Sequence, residues 1–368
     1  MRHGLHMTGF LFGGLAAGLV LAGPATAQEK VVNVYNWSDY IDEQILKDFT
    51  AETGIKVNYD VYDSNDILET KLLAGKSGYD VVVPTAYFLA RQIKAGVFEK
   101  LDKSKLPNEK YMWDEIQKRV AVYDPGNDYS VTYMWGTTGI GYNPAKVKER
   151  LGDVEVDSWS LVFDPANAEK LKGCGIQMLD APDDIIPAAL NYLGRDPNGR
   201  SKEDFAAAAE LLAKIRPFVQ KFNSSEYVNA LANGDICVAV GYSGDVFQSQ
   251  ARAEEAKNNV EVSYMIPKEG AAMWFDQLAI PADAPHKDAA YAFINYLMKP
   301  EVIAKATDYV YYANANKDSQ PLINKEILDD PAIYPPEEVQ AKLYSVLPYA
   351  PKEQRDLTRM WTQVKTGK

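Results

Sequence analysis

Three times before residue 100 the sequence passes from a strand pattern to a helix pattern, and no other feature narrows the fold so far. VVNVYNW (31–37) reads as a strand, followed by a helical pattern to about Thr53, with Gly54 as its stop. Ser38 or Asp39 is the expected cap of that helix. IKVNYDVYD (55–63) alternates apolar and polar residues, and a helix opening at Asn65 and ending near Gly75 comes next. Tyr79 to Pro84 is a short apolar strand leading into the helical AYFLARQIKAG. Strands alternating with helices of this length imply an α/β fold with a parallel sheet.

A second unit is expected after TYMWGTTGIGYNPAKV, read as a crossover whose glycines permit bending. Gly139 and Gly141 suggest a dinucleotide loop only weakly, because Pro144 stands where the third glycine belongs. The middle of the chain is helix-rich, then ICVAVGYSGD reads as a strand with a helix from about Asp245 to Asn258. Strand-like sequence returns near residue 260, as if the chain goes back to complete its first unit. Two crossings of that kind make a hinge. The expected division is residues 28–137 and 259–307 in lobe 1, with 138–258 and 308–368 in lobe 2.

The N-terminus carries Arg2, an apolar run too short to span a bilayer, and Ala25-Thr26-Ala27. It reads as a signal peptide cleaved after Ala27, with no Cys behind it to suggest a lipoprotein, and so predicts a periplasmic protein without membrane insertion. The remaining length exceeds one core, which makes two domains the default. Formal net charge is −12, an argument against nucleic acid or anionic membrane as a partner and in favour of cationic solutes. Cys174 and Cys237 both lie in the exported part, where an oxidising compartment favours a disulfide; two separately buried thiols are the alternative.

Several chemistries lack their residues. Beyond the signal, His286 is the single histidine, too few for a Ser/His/Asp or Cys/His nucleophile or for a zinc cluster. No Walker loop occurs, and DPGNDY (124–129) reads as a turn, since it lacks the spaced acids of a calcium loop. No cofactor is expected. Paired carboxylates acting on a glycoside remain an open alternative.

Four segments share one composition: Asn36-Trp37-Ser38-Asp39-Tyr40, Gly241-Tyr242-Ser243-Gly244-Asp245, Trp274-Phe275-Asp276 and Tyr311-Tyr312-Ala313-Asn314. The first three end or follow strand-like runs and set an acid within three residues of a ring; none of the four carries Lys or Arg. Taken singly, Ser38, Asp39 and Asp245 suit helix starts, and the rings suit a core. Asp276 resists that reading because it interrupts an apolar strand, where a buried acid without a partner is costly. Together the segments fit a linear polyamine. Its amines stay protonated at neutral pH, acids take the ammonium groups, and aromatic faces cover the methylenes. A basic amino acid or a choline-like cation is the neighbouring alternative.

The chain also resembles the periplasmic polyamine-binding proteins of ABC transporters, the putrescine/spermidine group. The resemblance is carried along its whole length by NVYNWSDYI, FTAETGIKVNYDVYDSN, GYDVVVPTAYFL, YMWGTTGIGYN, LDAPDD, NYLGRDPN, LANGDICVAVGYSGDV, IPKEGAAMWFD, YANANK and IYPP. It implies a type II periplasmic binding protein of two α/β lobes that delivers its ligand to an inner-membrane ABC permease; a monomer is expected. By matching positions it implies an aromatic box of Trp37, Tyr40, Tyr242, Trp274 and Tyr312. Asp245 and Asp276 would hold one terminal ammonium, Asp184 an amine toward the other end, and Ser38, Asp39 and Thr85 would add polar contacts. The resemblance likewise implies pairing of Cys174 with Cys237. Tyr242 stands where the putrescine binders commonly have Trp, Trp274 where they have Phe, Asp184 for Glu and Thr85 for Ser; these changes tilt the expectation toward spermidine, with putrescine retained.

Overall fold

In chain order the strands are β1 (Val31–Trp37), β2 (Lys56–Tyr62), β3 (Val81–Val82), β4 (Ser130–Tyr142) and β5 (Ile176–Met178). They continue with β6 (Lys221–Phe222), β7 (Val238–Tyr242), β8 (Ser263–Met265), β9 (Ala272–Ala279) and β10 (Ala313–Asn314). The protein is represented by a computed structural model that describes residues 30–367, so the signal peptide and the cleavage expected after Ala27 lie outside the described residues. Among those residues no helix is long and apolar enough to cross a membrane.

The parallel start read from the sequence is present: β1 pairs in parallel with both β2 and β3. A second parallel group forms from β6, β5 and β7. Two long antiparallel strands join the groups, giving the order β2-β1-β3-β9-β4-β7-β5-β6, with β8 and β10 also on β4. β9 reaches lobe 1 where Ala279 meets Val82, and β4 reaches lobe 2 where Thr138 meets Tyr242. Between these ends β4 and β9 pair with each other, with a register shift between Thr132 and Met134. The chain therefore passes between the two α/β lobes along β4 and β9.

Several local expectations change. The first helix spans Glu43–Thr53 and is capped by Asp42, which accepts from the Gln44 amide; Gly54 ends it at φ 69°. Ser38 and Asp39 are thus released from capping and lie in the turn before it. The third strand shortens to two residues, although Val81, Val82 and Val83 are all buried as its apolar run predicts. The glycines of β4 serve close packing rather than bending. A Cβ at Gly136 would lie 2.8 Å from the Trp274 ring, and one at Gly139 2.5 Å from the Tyr264 hydroxyl. DPGNDY is a turn, as expected: the Asp124 carboxylate accepts from the amides of Asp128 and Tyr129 and from the Ser130 hydroxyl.

Phe49 shows how the helices fix the sheet. It is fully buried and meets Phe293 edge-on at 5.2 Å, pinning helix Glu43–Thr53 to helix Lys287–Leu297. Replacing it with Ala would cost about 3–5 kcal/mol. In the other lobe Cys174 and Cys237 form a disulfide with a Cα separation of 5.4 Å, tying the chain entering β5 to that entering β7. Closure of a loop of 63 residues stabilises by about 4 kcal/mol in the chain-entropy account.

Candidate functional site

Strand ends of an open α/β sheet leave a crevice between them. Here it is a cleft with about 670 Å³ of non-atom space, its open mouth included. All eleven residues singled out from the sequence line it: Trp37, Ser38, Asp39, Tyr40, Thr85, Asp184, Tyr242, Asp245, Trp274, Asp276 and Tyr312. Tyr62, Asp63, Tyr87, Ser224, Ser225, Val228 and Gln248 complete the lining. Five of these residues are aspartates, and none of the described residues lining it is Lys, Arg or His.

Asp276 sits in β9 two residues from Trp274, so the pleat turns both to one face while Phe275 packs into the core behind. Its Oδ1 accepts from Thr85 Oγ1 at 2.7 Å and its Oδ2 from Tyr40 Oη at 2.9 Å. Thr85 occupies the cap position of helix Ala86–Lys94 but makes no capping bond: its hydroxyl donates to Asp276 and accepts from the Asn65 side chain. Asn65 holds Thr85 in place, donating to its hydroxyl at 3.0 Å and accepting from its amide at 3.1 Å.

Asp245 lies in the first turn of helix Ser243–Ala256, not at its cap, which is Tyr242. Tyr312 Oη and Tyr227 Oη each donate to its carboxylate at 2.7 Å. The Tyr227 hydroxyl also accepts from the Tyr242 amide at 3.0 Å, fixing the strand-to-helix turn. Gly244 has to be glycine here, since a Cβ would come within 2.5 Å of the Tyr312 ring. Asp184 projects from the first turn of helix Pro182–Tyr192 and accepts from Thr138 at 2.8 Å and Tyr242 Oη at 3.2 Å. Each of these three acids therefore has two hydroxyl donors, and a carboxylate has room for about four.

Burial pushes the Asp276 carboxyl up to about 7, with Asp184 and Asp245 adding to the rise and the bonds from Thr85 and Tyr40 opposing it. Burial likewise raises Asp184 and Asp245 to about 6, against their hydroxyl bonds. The phenols of Tyr40, Tyr227, Tyr242 and Tyr312 are held far above their ordinary value, first by burial and then by the nearby carboxylates, so they remain donors.

Rings form the other wall. Tyr40 meets Tyr312 at 5.3 Å, Tyr312 meets Trp274 at 5.2 Å and Trp274 meets Tyr242 at 5.6 Å, all edge-to-face. Trp37 packs on Tyr62 at 4.7 Å and donates its indole N–H to the Val83 carbonyl at 2.9 Å. At the mouth Asp39, in the left-handed region at φ 55°, pairs with Arg252 of the other lobe at 3.2 Å.

Residues 44–335 match the sequence profile of the bacterial extracellular solute-binding proteins. The chain belongs to that family. Among relatives of this solute-binding protein, the putrescine-binding periplasmic protein SpuD of Pseudomonas aeruginosa is 55% identical over 100% of this chain and 99% of its own. The putrescine-binding periplasmic protein PotF of Escherichia coli is 54% identical, over 96% of this chain and 97% of its own. In structure, the spermidine/putrescine ABC transporter substrate-binding protein PotD of Streptococcus pneumoniae superposes with a TM-score of 0.74 at 29% identity, covering 92% of this chain and 99% of that one.

Of the cleft residues of this solute-binding protein that the sequence reading passed over, Tyr62 and Asp63 carried a usable signal. They are a ring and an acid at the end of β2, the same pattern as Trp37 to Tyr40 at the end of β1. Tyr227, Thr138 and Asn65 gave none, because the first two reach Asp245 and Asp184, and the third reaches Thr85, only through tertiary contacts.

Proposed function

We propose that this solute-binding protein captures a polyamine, putrescine or spermidine, between its lobes and delivers it to an ABC transporter permease of the inner membrane. The observation that carries the reading is the cleft lining: five aspartates and no cationic side chain among the described residues. Three of those acids, Asp184, Asp245 and Asp276, have hydroxyl groups as their hydrogen-bond donors, which leaves acceptor capacity for ammonium groups. An arriving dication lowers the carboxyl pKa values and stabilises the ionised acids. Trp37, Tyr40, Tyr242, Trp274 and Tyr312 flank the methylenes, and each cation–π contact contributes about 0.5–2 kcal/mol. Ser38, Asp39 and Thr85 supply polar contacts from lobe 1, and Asp39 lies at the mouth with Arg252.

Asp245 and Asp276 take the ammonium at one end of the ligand, Asp184 an amine toward the other. The shorter Asp184 and the bulkier Trp274 favour spermidine. The reading includes lobes of residues 28–137 with 259–307 and 138–258 with 308–368, export with cleavage after Ala27, a monomeric state, and carriage without catalysis. Isothermal titration of the mature protein with putrescine and spermidine tests it, with saturable binding of at least one expected. Absence of binding to both ends the proposal. Native mass spectrometry of freshly purified protein adds an independent reading, because a co-purified polyamine identifies itself by mass.

A further inference from the structure

Asp183 and Asp184 are consecutive in the first turn of helix Pro182–Tyr192, and each is 3% exposed. Asp184 has its two hydroxyl donors in the main cleft. Asp183 has no hydrogen-bond donor among the described residues, and its Oδ1 is buried without a partner. It lines a smaller space of about 300 Å³, open solvent included, together with Trp37, Tyr87 and Asp180 and with Asp63 and Asp66 of lobe 1. Trp37, Asp63 and Tyr87 also line the main cleft, so the two spaces share walls. Outward, Asp63, Asp66 and Asp180 border a wider opening between the lobes.

The cations near Asp183 are already engaged. Arg91 makes two bonds to Glu69, at 2.7 and 2.9 Å, and a third to Gln354 at 3.0 Å. Arg200 donates to the Leu347 carbonyl at 3.0 Å and to Asn198 at 3.2 Å. Lys365 is held by Asp180 at 2.8 Å. Burial raises the Asp183 carboxyl to about 7, with Asp66 and Asp184 adding to the rise and Arg91 and Arg200 opposing it. A buried acid with no donor is a costly feature for a chain to retain unless something arrives to partner it.

We propose that this space is a second cation subsite, in which Asp183 receives the additional amine of a polyamine longer than a diamine. The ring faces of Trp37 and Tyr87, common to both spaces, cover the methylenes that lead from one to the other. Because Asp183 comes from one lobe and Asp63 and Asp66 from the other, an amine bound there bridges the closed lobes. The inference rests on the polyamine reading of the main cleft and specifies ligand length.

Titration calorimetry of the mature protein and of Asp183→Asn with putrescine and with spermidine tests it. Spermidine is expected to lose at least tenfold in affinity in the variant, while putrescine stays within about twofold. Equal losses for both amines, no loss for either, or a wild-type protein that binds putrescine but not spermidine would overturn the subsite and leave the main-cleft reading intact. A wild-type protein that binds neither overturns the main-cleft reading itself. Should the variant not fold, proton release by the unmodified protein decides. At pH 7, titrations in buffers of different ionisation enthalpy should show more protons released by spermidine than by putrescine, and equal release overturns the subsite.

Discussion

On the outer surface of this molecule acids are commonly answered by lysine or arginine; deep in the cleft Asp184, Asp245 and Asp276 are answered by hydroxyl groups. Lys214 reaches Glu210 at 2.8 Å, Lys148 reaches Asp153 at 2.7 Å and Lys105 reaches Asp288 at 2.8 Å, all with exposed side chains. Water screens such exposed pairs, and they add little to stability. Inside, Asp184, Asp245 and Asp276 receive hydroxyls that carry no formal charge, and burial holds their carboxyls at about 6 to 7. The difference teaches where the binding capacity of the protein resides. Negative charge that is paired with a cation at the surface, and at the mouth in Asp39 with Arg252, meets only hydroxyl donors at Asp184, Asp245 and Asp276, at some expense in ligand-free stability.

The sharpest way to break this comparison is to remove a cleft charge. Asp276→Asn and Asp245→Asn should each weaken polyamine binding at least tenfold by calorimetry, since each leaves a buried ammonium less well paired. Unchanged affinity in either variant removes that acid from the site.

Proton linkage gives the next effect. The three cleft acids titrate above the ordinary carboxyl value of 3.8, so the folded ligand-free protein binds more protons than the unfolded chain between about pH 4 and 7. Their contribution to stability is therefore lost as pH rises through that window, while ligand affinity increases as the acids ionise. Polyamine affinity should improve by about tenfold from pH 5.5 to pH 7.5, with protons released on binding. A flat affinity profile, or proton uptake on binding, contradicts the assignment.

Tyr312→Phe should cost less, about 1 kcal/mol or fivefold in affinity, because Asp245 keeps its bond from Tyr227. Lys214→Ala marks the other side of the comparison. Loss of its exposed pair with Glu210 should leave both the chemical-denaturation midpoint and polyamine binding unaltered.

Much of the fold was legible because alternation and helical periodicity are local. The parallel start and the extended chain within residues 132–147 followed by a helix start at Pro144 read directly from pattern, whereas the roles of Ser38 and Asp39 did not. Both are good caps by type, but Asp42 sits nearer the first helical turn and takes that role. Asp276 was legible as an anomaly, an acid in an apolar strand. Its donor Tyr40 lies 236 positions away in the chain, and no pattern along one strand announces such a partner.

The sequence by itself determined which residue types stand at the strand ends: rings beside acids, with no basic residue among them. Only the tertiary structure decided which of those acids share a space and which hydroxyls answer them. Asp183 and Asp184 show the physical reason. Successive residues on a helix point about 100° apart, so neighbours with the same side chain enter different spaces, one furnished with donors and the other left open.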